Sequence, residues 1–133
     1  MSYINARVLA LQSCENLHIV KFVWKEHTLV MMSLDLGENI QVGREVQLVV
    51  KPTHITLTKD FVGKSSCSNK ITSQVHSIQK GKLLSVVTID VDGVVLESIV
   101  TLEALESLDI QVGDAVVAFI EATHISISEV LDD

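Results

Sequence analysis

Two histidines, His54 and His124, invite a chemical reading first, because each sits in the same tripeptide, Thr-His-Ile. A paired histidine could ligate a metal, but zinc-type sites need further Cys, His or carboxylate ligands at close spacing. Neither histidine has such a neighbour, and His18, His27 and His76 show no partner pattern either. Cys14 and Cys67 stand far apart and form no CxxC pair, so they read as two reduced thiols of a cytosolic protein. Ser, His and Asp are all present, yet there is no nucleophile-elbow sequence, no Gly-rich phosphate loop and no HExxH motif. The expectation is a binding protein and not an enzyme, with no direct ligands for a metal cation and no cofactor.

The two histidines belong to a longer repetition, and that repetition defines the elements around them. Ile40-Gln41-Val42-Gly43 recurs as Ile110-Gln111-Val112-Gly113, an offset of 70. At the same offset Val46 matches Val116, and Thr53-His54-Ile55 matches Thr123-His124-Ile125. Internal self-similarity at a fixed distance marks a duplicated module. The chain therefore divides into a first copy at 1–62 and a second at 63–133, with a linker over 59–68 that carries Gly63 and three serines.

Each copy reads as strands. Arg44 to Val50 and Asp114 to Ile120 are short, apolar and β-branched, and each follows a turn-making Gly. Thr53 to Leu57 and Thr123 to Ile127 alternate with a period of two, which predicts one strand each. Leu83 to Val91 and Leu96 to Val100 flank Asp92-Gly93, a strong hairpin signal. The equivalent pair in the first copy is Leu17 to Trp24 and Leu29 to Met32, turning over residues 25–28. Phe22 and Trp24 share a strand face and are assigned to the core. Thr101 is placed to cap a short helix, Leu102 to Leu108, with Leu102, Leu105 and Leu108 along one side. Ser33 is assigned the corresponding slot in the first copy, where the shorter, Gly37-containing segment predicts a single turn. The fold class is all-β: two tandem five-stranded barrels, each with one short helix or helical turn and each closed to protect its edges.

Composition narrows the partners. The chain has 133 residues, 47% hydrophobic but only 4% aromatic, so its apolar content is mainly Val, Ile and Leu, which suit pleated surfaces. A module of about 60 residues buries only about 60% of its unfolded surface, so surplus apolar residues predict burial against other subunits. A homo-oligomer, trimer or dimer, is expected. The net charge of −7 and the few aromatics argue against nucleic acid. No apolar run approaches the roughly 20 residues that span a bilayer, and the start carries no secretory signal. A cytoplasmic location is expected.

The order of strand, hairpin, capped short helix, Gly turn, strand and final alternating strand resembles the molybdate-binding TOBE modules found in molbindins, or Mop proteins. The likeness is greatest over Leu105-Glu106-Ser107-Leu108-Asp109-Ile110-Gln111-Val112-Gly113-Asp114-Ala115-Val116 and Ile120-Glu121-Ala122-Thr123, where the family has a short helix, a Gly turn and Ile-Lys-Ala-Thr. The resemblance implies OB-like barrels, assembly into dimers or trimers, and oxyanions bound at interfaces between modules. It also implies a ligand set: an opening Ser-Ala-Arg-Asn, a Thr or Ser at the short helix, and the Lys of Lys-Ala-Thr. Cationic side chains, hydroxyls and backbone N–H groups are what a small dianion needs.

Placed on that pattern, the first copy offers Asn5, Ala6 and Arg7 from Asn5-Ala6-Arg7-Val8, then Ser33 and Lys51. Pro52 after that lysine removes one backbone donor. The second copy offers Ser66 and Ser68 from Ser66-Cys67-Ser68-Asn69, and Thr101, as secondary candidates. Its arginine has become Ser68 and its lysine Glu121, so its site is expected to be degenerate. The implied function is binding of molybdate or tungstate for storage, buffering or sensing in molybdenum homeostasis. The alternative is a regulatory or structural TOBE partner of a transporter or transcription regulator that has lost its ligand.

Overall fold

The computed structural model describes residues 1–132. Ten strands and one α-helix follow the order β1 (Ser2–Cys14), β2 (Leu17–Trp24), β3 (His27–Ser33), β4 (Glu45–Val50), β5 (Thr56–Thr58), β6 (Asn69–Lys80), β7 (Leu84–Val91), β8 (Val94–Thr101), α1 (Leu102–Leu108), β9 (Ala115–Ile120) and β10 (Ser126–Val130). Strict alternation makes β1 and β6: Ile4, Ala6 and Val8 point inward on one, Ile71, Ser73 and Val75 on the other. The tight turns between hairpin strands place Glu15, Lys25 and Asp92 at φ of 50–55°. Asp92 is followed by Gly93 at φ 91°, as the Asp-Gly signal requires.

The strands curl into two five-stranded, OB-like sheets, and each copy lends its last strand to the other. One sheet runs β10-β4-β1-β2-β3 and the other β5-β9-β6-β7-β8. Thr56, Leu57 and Thr58 of β5 pair with Phe119, Ala118 and Val117 of β9, while Ser126 and Ile127 of β10 pair with Val49 and Leu48 of β4. Each copy therefore completes the other's barrel. Exchange of this kind puts Ile55 and Leu57 into the second barrel's core and Ile125 and Ile127 against the first.

Two expectations are corrected. The runs Thr53 to Leu57 and Thr123 to Ile127 do not each form one strand. Pro52–His54 and Ala122–His124 are 3-10 turns, and pairing starts only at Thr56 and Ser126. Pro52 fits the first position of such a turn because its φ is already fixed there. The first-copy hairpin turns at Lys25-Glu26, so its second strand begins at His27, two residues earlier than expected. Between β3 and β4 the chain turns without forming a helix, and Ser33 holds a local turn there, with its Oγ donating to Asp35 O at 2.6 Å and accepting from Asp35 N at 3.2 Å. The helix α1 is as expected: Thr101 Oγ1 accepts from Ala104 N at 3.0 Å, and Leu105 is buried. It ends at Asp109, which adopts the left-handed conformation tolerated by Asp and Asn.

Candidate functional site

Local registers fix which residues of the two copies are equivalent. Ser2 lies opposite Val50 and Asn69 opposite Ile120; Arg7 lies opposite Glu45 and Gln74 opposite Ala115. Val50 and Ile120 are repeat partners, so Ser2 corresponds to Asn69 (an offset of 67) and Arg7 to Gln74. Backbone bonds agree, since Gly43 N donates to Val8 O just as Gly113 N donates to Val75 O, both at 2.8 Å. The sequence placement of Asn5-Ala6-Arg7-Val8 on Ser66-Cys67-Ser68-Asn69 is therefore six residues out of register. A six-residue slide leaves the inward and outward faces of a strand unchanged, because the side-chain period is two. Alternation alone could not detect it. By the same registers, Ser33 corresponds to Val100 and Leu34 to Thr101.

The expected ligands are spread over several surfaces of one chain. Asn5, Ala6 and Arg7 line a broad concavity of about 780 Å³ with Tyr3, Lys25 and Gln47. Arg7 is already engaged there: its Nη2 donates to Glu45 Oε1 at 2.6 Å and its Nε to the same oxygen at 3.2 Å. That hydrogen bond, and the attraction of the carboxylate, raise the guanidinium pKa above its ordinary value. Ser33 lines a different groove, bordered by β3 and β10. Lys51 is exposed, precedes the Pro52–His54 turn, and makes no ion pair among the described residues. Ser66 and Ser68 share a small pocket with Glu121, Ala122 and Thr123. Thr101 serves as the cap of α1. Within a single chain the set does not converge on one point.

Two features sit where the copies meet: a buried amide that the residue types did not disclose, and a pair of histidines whose stacking they did not. Asn69 is 1% exposed. Its Oδ1 accepts from Val30 N at 2.7 Å, while its Nδ2 donates to Val30 O at 2.9 Å and to Ile120 O at 3.0 Å. The amide thus acts as a one-residue strand against the edge strand β3, satisfying backbone groups that would otherwise be open. Ser2 does the weaker equivalent on the other side, accepting from Glu97 N at 2.9 Å. Val30 and Glu97 are related by the same offset of 67, so the clamp is duplicated.

The second feature is the repeated histidine pair. His54 and His124 stack face to face, with ring centroids 3.8 Å apart and planes 14° from parallel. Parallel rings do not converge their nitrogen lone pairs, and no group of three potential metal ligands exists among the described residues. His54 is half-buried. Desolvation first, then the charges of His124 and Lys51, lower its pKa below the ordinary 6.5.

The chain is a pair of small OB-like barrels with a pocket lined by residues of both modules. Residues 65–127 match the TOBE domain, and the chain belongs to the TOBE-domain proteins, as a tandem of molbindin-like modules. Among solved structures it is similar to the cytoplasmic molybdate-binding protein ModG, in a form with molybdate bound. That likeness has a TM-score of 0.89 and 25% identity, over 94% of this chain and 93% of the other. A molybdate-binding protein from Sporomusa ovata is 30% identical, with a TM-score of 0.49, and covers 50% of this chain and 100% of its own. No curated protein matches significantly in sequence. No helix is long and apolar enough to cross a membrane among the described residues.

Proposed function

We propose that this protein binds a small tetrahedral dianion, molybdate or tungstate, and serves storage, buffering or sensing in molybdenum homeostasis in the cytoplasm, without catalysing a reaction. The observation that carries this reading is the full-length likeness to ModG, which was obtained with molybdate bound. Lys51 is the residue best suited to the role, being exposed beside the Pro52–His54 turn and in no ion pair among the described residues. Asn5, Ala6, Arg7 and Ser33 join it only if neighbouring chains bring their surfaces together, so the proposal includes a homo-oligomer, trimer or dimer. Exposed Tyr3, Val23 and Val95 on the outer sheet faces are consistent with such contacts. The halves 1–62 and 63–133 are proposed as the two ligand modules, with the second half's Ser66, Ser68 and Thr101 contributing little. Isothermal titration with molybdate, tungstate, sulfate and phosphate tests the reading. Saturable heat with the first two oxyanions supports it, and none with any of the four refutes it. Light scattering that finds only monomer at micromolar concentration removes the shared-site arrangement.

A second reading is favoured by two observations. Arg7 is occupied by Glu45 and Glu121 stands where the family has lysine, which together suit a module that kept the fold and lost the ligand. It would then serve as a structural or regulatory partner of a transporter or transcription regulator.

A further inference from the structure

The two barrels differ most at the end between β3 and β4 in the first and β8 and β9 in the second. The registers relate the copies by 67 before this segment and by 70 after it, so the first copy is three residues short here. In the second barrel the segment forms α1, which lays Leu105 into the core with Leu102 and Leu108 packed beside it. Only about 200 Å³ of open space remains next to β5 and β8. In the first barrel the corresponding opening, between β3 and the incoming β10, is about 660 Å³. Its floor is apolar, with Met31, Ile125 and Ile127, and Leu34 on its rim is 75% exposed.

One position at this opening is reversed in charge as well, Lys59 in the second barrel against Glu129 in the first. In the second barrel Lys59, just past β5, donates from Nζ to Asp109 O at 2.5 Å, meeting the negative end of α1. In the first barrel the opening is lined by the carboxylates of Glu129, on β10, and Asp35, with no basic side chain among its described lining.

We propose that this groove docks a short amphipathic helix of a partner protein, presenting apolar residues at i, i+3 and i+6 and carrying Lys or Arg at the end that lies over Glu129. The chain's own second half shows the kind of element that fills the equivalent space: a two-turn helix about 10 Å long with leucines at 102, 105 and 108. The carboxylates select the charge of the occupant, because a helix C-terminus without basic residues would bring its negative dipole end against Glu129. The α1 helix of a second copy is a poor occupant for the same reason, since Glu103, Glu106 and Asp109 would face Asp35 and Glu129.

The test uses the full chain and two hydrocarbon-stapled, fluorescein-labelled helical peptides with leucines at i, i+3 and i+6. One carries Lys in its last turn and the other Glu. The Lys peptide is expected to bind at least about tenfold tighter, a preference of about 1.4 kcal/mol, and to shift the amide resonances of Met31, Ile125 and Ile127. Glu129→Lys should reverse the preference, and Asp35→Asn, on an exposed loop, should weaken it. The proposal is overturned if neither peptide binds at millimolar concentration, if both bind equally, if the shifted resonances lie elsewhere, or if Glu129→Lys folds and leaves the preference unchanged.

Discussion

Replacing Asn69 by Ala removes the amide that joins β6 to the edge of β3 across the junction of the two barrels. Three hydrogen bonds of 2.7, 2.9 and 3.0 Å disappear, in a site where the side chain is 1% exposed. Each bond contributes about 0.5–1.5 kcal/mol net, and a buried partner left unpaired costs about 1–3 kcal/mol. A total near 3 kcal/mol follows. With an unfolding entropy of roughly 2.1 cal/mol/K per residue over the chain's length, that corresponds to a fall in Tm of about 11 °C. Ser2→Ala removes the single bond to Glu97 N and should cost about 1 kcal/mol. The assay is urea unfolding of both variants at one fixed protein concentration, since association would otherwise shift the midpoints. The m-value should not change, because the surface exposed on unfolding is the same. If Asn69→Ala costs no more than Ser2→Ala, the clamp is not what holds the two barrels in register. Asn69→Asp should be at least as damaging, as it keeps the acceptor for Val30 N but turns a carboxylate towards two carbonyl oxygens.

Lys51→Ala should weaken molybdate binding by about one to two decades, the contribution of a charge-assisted hydrogen bond of roughly 1.5–3 kcal/mol, as read by titration calorimetry. Glu45→Gln frees Arg7 from its ion pair, so it should tighten molybdate binding if Arg7 is a ligand and leave it unchanged if not. The lowered pKa of His54 means that the unfolded chain takes up a proton first as pH falls through 6.5. Stability should therefore decline from that pH downward until the folded histidine also protonates, and His54→Gln should flatten that slope in urea midpoints measured from pH 7.5 to 5. The pair Glu121→Lys with Ser68→Arg should raise the molybdate bound per chain, with an affinity that falls as salt is added; unchanged stoichiometry in the folded variant would mean that the second copy has no pocket to restore.

The residue types and their spacing determined a good deal here. The offset of 70 between the two Ile-Gln-Val-Gly and Thr-His-Ile motifs revealed the duplication, and Asp92-Gly93 placed a hairpin, since few residues other than Asn, Asp and Gly accept positive φ. Thr101 followed by three spaced leucines located α1, because a cap and an apolar stripe are local properties. The six-residue slide on β1 escaped, as a period-two pattern is blind to even shifts. Only the tertiary structure decided which copy each final strand joins. Thr56 to Thr58 and Ser126 to Val130 present the same alternation to repeat-related strands, so pairing at home and pairing across are locally equivalent. The path of the intervening chain, together with burial of Ile55 and Leu57 in the second barrel and Ile125 in the first, selects the exchange. Asn69 carries no signal as a residue type. It becomes a clamp only because that exchange brings the edge of β3, from one barrel, within 3 Å of the start of β6, from the other.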